Sequence, residues 1–200
     1  MTKKIIEPFL YNNKLKFNEI EKMTNLRSNS LAYSLKNLQK EKVIIKEKEG
    51  YSLSEEFEHT VPYISDKQAV LPTLLITIGK GKNFFLRIRK KKPYLGLLGL
   101  PAGRLVVGES VAEAVSRIMK IKYGVNAKLK HINSISLEHL KKEGKTVHSF
   151  LQIFVTASTR DKLLLTDIEK NRKRIIKSDY QFLKNHLNLR TQIKTINSKV

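Results

Sequence analysis

Residues 103–125 read GRLVVGESVAEAVSRIMKIKYGV, and this stretch decides how the chain folds. Val115, Ile118 and Ile121 give an apolar face to a helix running from Ser110 to Tyr123. Gly124 is placed to end that helix, because a left-handed cap suits a residue without a Cβ. Glu109, Glu113 and Arg117 follow at intervals of four and so share one face. They are expected to form an ion-pair ladder bracing the loop from Gly103 to Gly108 against the helix.

Working outward, Thr73–Ile78 reads as a strand, 79–83 as a turn and Phe84–Arg89 as the returning strand, a hairpin ahead of the helix. After the helix, Lys130–Leu137 and Val147–Thr156 alternate like strands around a Glu143-Gly144-Lys145 turn. A closing helix is expected over Ser178–Leu187, with Tyr180, Leu183 and Leu187 on one face, and the last dozen residues read as frayed.

The spacing of residues 103–125 resembles the Nudix box, G-x5-E-x7-R-E-U-x-E-E-x-G-U. Gly103, Glu109, Arg117, Gly124 and Val125 fall on its places, Met119 is a near match for the aliphatic position, and Leu97–Gly103 resembles the stretch that leads into the box. The resemblance implies an α/β/α sandwich with a mixed sheet over residues 72–200. It also implies that the box glutamates hold a divalent metal, and here Ile118, Ile121 and Lys122 stand in three of their places. A hard cation needs oxygen ligands, which isoleucine and lysine lack. Arg117, Lys120 and Lys122 oppose a cation at the surviving Glu109 and Glu113 by Coulomb repulsion. No metal, no cofactor and no catalytic residue is therefore expected, and Gly103, Glu109, Arg117 and Gly124 are a remnant of the box.

Two readings of the replaced positions stay open. Ile118, Ile121 and Val115 enlarge the helix's packing face, or the family's cleft persists with a lysine rim. In the second reading Lys122, with Arg104, Arg87 or Arg89, holds a pyrophosphate-containing ligand without cutting it. No other chemistry is legible: the five histidines are scattered, with no close metal spacing, and no phosphate-cradling glycine loop occurs.

Residues 1–58 read as a helical unit ending in a hairpin. Helices are expected over Lys3–Tyr11, Asn18–Met23 and from Ser28 or Asn29 onward, either of which suits an N-cap. In the third helix Leu31, Leu35 and Leu38 repeat at core spacing. Val43–Ser54 then alternates like two strands around a Glu49-Gly50 turn. The order resembles a winged helix-turn-helix domain. That resemblance implies contacts to duplex DNA from Arg27, Asn29, Ser30, Tyr33, Ser34, Lys36, Asn37 and Lys40 on the third helix, and from Lys46 and Lys48 on the wing. Arg and Asn suit base edges, whereas Lys suits phosphates.

The chain of 200 residues carries a formal charge of +21 and no cysteine. A thiolate metal site and a disulfide framework are excluded, and no apolar run approaches membrane-spanning length. Residues 1–58 hold 11 Lys/Arg against 9 Asp/Glu, and residues 59–200 hold 28 against 9. The excess of cations favours polyanionic partners and is concentrated in the second half. The organisation expected is an α+β two-domain chain: a winged helix-turn-helix at 1–58, a linker at 59–71 and a Nudix-like domain at 72–200. The expected function is a cytoplasmic DNA-binding transcriptional regulator whose inactive Nudix-like domain senses a nucleotide-derived metabolite or dimerises. Its partners would be double-stranded DNA, that effector and a second copy of the chain, with no membrane. A Nudix hydrolase with relocated metal ligands and an RNA-binding factor are the alternatives.

Overall fold

The computed structural model describes residues 2–58, 60 and 69–196. The chain divides into two compact units, Met1–Ala69 and Val70–Val200. The segment 59–71 read as a linker lies largely outside the described residues.

In the first unit, α1 (Thr2–Ile6) passes into a 3-10 turn at Glu7–Leu10. The single helix expected over Lys3–Tyr11 is thus split, as follows from Pro8, which has no N–H for a helical bond. Helices α2 (Phe17–Thr24) and α3 (Ser28–Lys40) follow. Neither Ser28 nor Asn29 caps α3: Arg27 is the N-cap residue, without a side-chain bond, and the Ser28 hydroxyl donates to Glu21 instead. Leu31, Leu35 and Leu38 are buried as their spacing predicts, against Ile5, Phe9, Ile20 and Ile44.

Strands β1 (Ile44–Glu47) and β2 (Gly50–Leu53) pair antiparallel, with Glu47 opposite Gly50. The turn residues are therefore Lys48 and Glu49, one position earlier than expected. Gly50 is needed in β2 for another reason. Its φ is +152°, and a Cβ there would lie 2.6 Å from the Leu15 carbonyl oxygen. That close approach lets Leu15 exchange backbone hydrogen bonds with Tyr51, at 2.9 and 2.8 Å. A short helix α4 (Glu55–Glu58) ends the described part of this unit's regular structure.

The second unit is a mixed α/β sandwich. Its strands before the helix are β3 (Leu71–Thr77), β4 (Gly79–Lys80), β5 (Asn83–Phe84), β6 (Arg87–Ile88), β7 (Leu98–Gly99) and β8 (Ala102–Arg104). Helix α5 (Val111–Tyr123) is followed by β9 (Ala127–Lys142), β10 (Lys145–Thr159), β11 (Thr166–Asp167) and α6 (Lys177–Asn185). The main sheet has the order β8-β3-β10-β9, parallel only between β3 and β10.

Side chains alternate across this sheet with the period of two that strands impose. Leu74, Ile76, Ile153 and Val155 meet Val115, Ile118 and Met119 of α5 on one face. Leu75 and Phe154 meet Phe182 and Leu183 of α6 on the other.

Three expectations need correction in this unit. Residues 73–78 and 84–89 pair far less than expected: the hairpin is β4–β5, extended by one bond from the Phe85 N–H to the Ile78 carbonyl at 2.9 Å, while β3 pairs with β10 and β8 and β6 pairs with β7. The closing helix starts at Lys177 and stops at Asn185, two residues short of Leu187. The C-terminal stretch is not uniformly frayed, since the Thr191 N–H donates to the Ile132 carbonyl at 3.0 Å.

Candidate functional site

Helix α5 is fixed at both ends by its own sequence. At its start Ser110 and Glu113 form a reciprocal capping box, and at its end Gly124 adopts φ 69°. Glu113 is thereby committed to Ser110 and does not join a ladder with Arg117. The brace is shorter than expected. Arg117 Nε donates to Glu109 at 2.7 Å and its guanidinium reaches the Arg104 carbonyl at 2.9 Å, while Glu109 accepts from the Val106 N–H at 2.7 Å. The bond from Arg117 is the main reason that the Glu109 carboxyl titrates below the usual range.

The two replaced isoleucines behave differently. Ile118 is fully buried beneath β8, where a Cβ on Gly103 would lie 2.6 Å from its Cγ1. Ile121 is 75% exposed and adds nothing to the packing face, contrary to the expectation. Buried positions run 111, 114, 115, 118 and 119, and the next position in that helical series is 122, not 121.

Lys122 accordingly lies along the sheet side of the helix, and its ammonium donates to the Ala102 carbonyl at 2.9 Å. Its pKa is lowered, first by partial burial and then by repulsion from Arg117, Arg89, Lys91 and Arg104. The residues present do not fit a divalent metal. Positions 118, 121 and 122 offer no oxygen, and the two remaining glutamates are held by Arg117 and by Ser110. Among the described residues no group of three or more His, Cys, Asp or Glu is placed to hold a metal ion.

Lys122, Arg104 and Arg89 line one cleft of about 890 Å³, together with Lys91 and Lys92. Arg87 is not part of it, as its guanidinium lies 5.7 Å from the Phe85 ring centroid. Beside Arg104, on the same sheet face, the lining turns polar and acidic. There Thr73 donates to Gln152 at 2.6 Å, and the Gln152 amide donates to Glu138 at 2.7 Å. Asp179 also lines the cleft and is buried, accepting from the Leu100 N–H at 2.7 Å. Burial raises its pKa to about 7, with Glu138 adding to the rise and the Leu100 bond and Arg89 opposing it. Tyr94 is raised as well, chiefly by burial.

Sequence reasoning missed Asp179, Glu138, Gln152 and Tyr94. They come from four separate elements, and no local spacing joins them.

In the first unit, Arg27, Asn29, Tyr33, Lys36 and Lys40 are exposed on α3 or at its start, whereas Ser30, Ser34 and Asn37 are half-buried. Lys46 and Lys48 are exposed on the β1–β2 hairpin, Lys46 lying 5.8 Å from the Tyr51 ring centroid. A groove of about 990 Å³ in this unit is lined by Lys14, Lys16, Lys46 and Lys48 among others, and also by Glu19, Glu47 and Glu49. Its charges largely offset one another: Lys14 pairs with Glu47.

No protein-family model matches the sequence. No curated protein matches it either. Solved structures do. A Nudix hydrolase from Nitrosomonas europaea aligns with a TM-score of 0.54 at 16% identity, over 66% of this chain and 98% of that one. A MutT protein from Methanosarcina mazei Go1 aligns at 0.47 and 16%, over 61% and 96%. The Nudix domain of Shewanella oneidensis NrtR aligns at 0.45 and 15%, over 62% and 93%. At such identities the likeness concerns the fold: the mixed α/β architecture is that of Nudix hydrolases. No described helix is long and apolar enough to cross a membrane.

Proposed function

We propose that this chain is a DNA-binding regulator whose Nudix-like unit holds a phosphorylated, nucleotide-derived metabolite without hydrolysing it. One observation carries the reading of the second unit. Lys122 lies at a position where the Nudix resemblance implies a metal-binding carboxylate, and its surroundings add cations instead of acids. A phosphate group relieves that crowding and accepts hydrogen bonds from Arg89, Arg104 and Lys122. The polar wall of Thr73, Gln152 and Glu138 supplies partners for the rest of such a ligand. A cleft of about 890 Å³ is of the size that encloses a small organic molecule.

The reading of the first unit is supported by the exposed row Arg27, Asn29, Tyr33, Lys36 and Lys40 along α3, followed by a hairpin carrying Lys46 and Lys48. That order of elements suits a winged helix-turn-helix, with α3 in the major groove and the hairpin as wing. A dimer is the expected binding form, because such domains commonly meet two-fold symmetric sites.

The test has two arms. Calorimetry with nucleoside diphosphates and sugar nucleotides is expected to find a binder whose affinity falls at least about tenfold in Lys122→Ala, the loss of a charge-assisted hydrogen bond. Turnover of any of these compounds with Mg²⁺ or Mn²⁺, abolished by Glu109→Gln, overturns the reading in favour of a hydrolase. In the second arm, selection from random duplexes is expected to yield a preferred site that Arg27→Ala and Asn29→Ala weaken. Preference for RNA over duplex at matched salt refutes it.

A further inference from the structure

The two densest basic clusters of the sequence, Arg87–Lys92 and Lys170–Lys177, lie about eighty positions apart, and of their cations Arg89, Lys91 and Lys92 line the cleft. The fold brings them together. Strand β7 pairs through Leu98 with Ile88 on one side and with Ile175 on the other, and the Ile176 N–H donates to the Leu98 carbonyl at 2.9 Å. The two segments thus flank a single strand, roughly 10 Å apart at two strand spacings.

Lys90, Lys91, Lys92, Lys170, Arg172, Lys173, Arg174 and Lys177 are all exposed on this joined surface. Among the described residues none of them forms an ion pair with a carboxylate; the pairs present involve Lys14, Lys42, Arg117 and Lys184. Arg172 instead lies over the Tyr180 ring, 5.2 Å from its centroid. A surface so charged and so little compensated repels itself and is relieved by a partner carrying regularly spaced anions.

We infer that this face of the second unit binds the phosphate backbone of duplex DNA, independently of the helix and hairpin of the first unit. A duplex is favoured over single strands by what the surface lacks. Stacking of unpaired bases needs exposed aromatic rings, and among the described residues of the second unit no aromatic side chain is among the exposed large hydrophobics. The interactions available are Lys and Arg to phosphate, which add affinity and salt dependence without sequence preference. This inference does not rest on the function proposed above, because it concerns residues outside α3 and, apart from Arg89, Lys91 and Lys92, outside the cleft.

The test is the salt dependence of binding to a duplex of arbitrary sequence, measured on the full chain. Withdrawing one cation from a phosphate flattens the plot of log affinity against log salt by about 0.9 for duplex DNA. The triple variant Lys173→Gln, Arg174→Gln, Lys177→Gln is expected to lower the slope by about 2 to 3. Lys90→Gln, Lys91→Gln, Lys92→Gln should do the same. The variant Lys90→Arg, Lys91→Arg, Lys92→Arg keeps the slope, which separates an effect of charge from a failure to fold.

A charge-matched control on other strands, Lys128→Gln, Lys142→Gln, Lys145→Gln, leaves it unchanged. Equal flattening by that control overturns the proposal, since the effect would then be one of net charge. So does a wild-type slope insensitive to both clusters, or tighter binding to single-stranded RNA than to duplex DNA at matched salt. Loss of sequence preference in Arg27→Ala with these slopes intact sinks neither, and absence of any preference with the slopes intact removes only the regulator reading.

Discussion

Replacing Asp179 with asparagine should make the protein more stable at neutral pH and leave it almost unchanged near pH 4. Asp179 is buried and titrates at about 7, against an ordinary 3.8. Between those values the folded chain keeps a proton that the unfolded chain has released. Folding therefore binds protons across that window, and stability falls as pH rises from about 4 to about 7, then levels. At about 1.4 kcal/mol per pH unit the full window corresponds to about 4 kcal/mol.

Three groups oppose this by favouring the anion: the Leu100 N–H, Arg89, and the free amides at the start of α6, the last contributing about 0.3–1 kcal/mol. Burial exceeds them, and Glu138 adds to it. Asparagine keeps an oxygen for the Leu100 N–H but carries no proton to lose.

The assay is urea unfolding of both proteins at intervals from pH 4 to 8, reading the difference between them. That difference cancels the depressed carboxylates, such as Glu109 and Asp167, whose contributions run the other way. The asparagine variant should gain several kcal/mol on the wild type by pH 7.5. A difference that is flat with pH refutes the reasoning. One in which the wild type gains as pH rises shows that Arg89 outweighs burial.

Four further outcomes are expected. Glu109→Gln removes the charged partner of Arg117 and should cost about 1–2 kcal/mol in urea unfolding at pH 7. The loss should shrink as pH falls from about 4.5 through the depressed folded value, where the wild-type carboxyl takes up its proton. Ile118→Glu places a carboxylate in a fully buried site and should cost about 3 kcal/mol or more. A variant as stable as the wild type at pH 7 refutes the burial of that position. Lys122→Glu exchanges repulsion for attraction among Arg89, Lys91 and Arg104, and should stabilise by up to about 1 kcal/mol at low salt. That gain should fade at high ionic strength, and its absence at every salt concentration argues against crowded cations. Gly50→Ala drives a Cβ onto the Leu15 carbonyl at a backbone angle that side chains disfavour, and a loss of about 1–3 kcal/mol in unfolding experiments is expected.

Much of the fold was legible because its signals are local. The leucines of α3, the alternation in β9 and β10, the start of α5 at Ser110 and its end at Gly124 all follow from spacing or from a single residue's backbone preference. Partner choice was not legible. The run at 71–77 is apolar on both faces, so nothing in it tells whether it pairs with the next strand or with β10 some eighty residues on. The site divided in the same way. Arg89, Arg104 and Lys122, singled out from a known spacing around α5 and its approach, line one cleft. Asp179 and Glu138 gave no signal, since an acid early in a helix and an acid in an alternating strand are both ordinary until the chain folds them beside Tyr94.

The contrast between Ile121 and Lys122 shows how neighbouring positions on one helix differ in what they can contribute to a cleft. The sheet-facing stripe of α5 advances by three and four residues, so position 118 must fill the space over Gly103, and isoleucine does so without a charge to solvate. Position 121 leaves the stripe and is free to be apolar at little cost, which is why its exposure says nothing about function. Position 122 points to the same side just where β8 ends, so whatever it carries is delivered to the rim of the cleft while remaining exposed. A lysine there has one partner suited to a donor, the Ala102 carbonyl, and it brings a positive charge to a place already bordered by Arg89 and Arg104. Packing therefore accommodates the isoleucine at 118, solvent accommodates the one at 121, and the lysine at 122 adds its positive charge to those of Arg89, Lys91, Lys92 and Arg104, which already line the cleft.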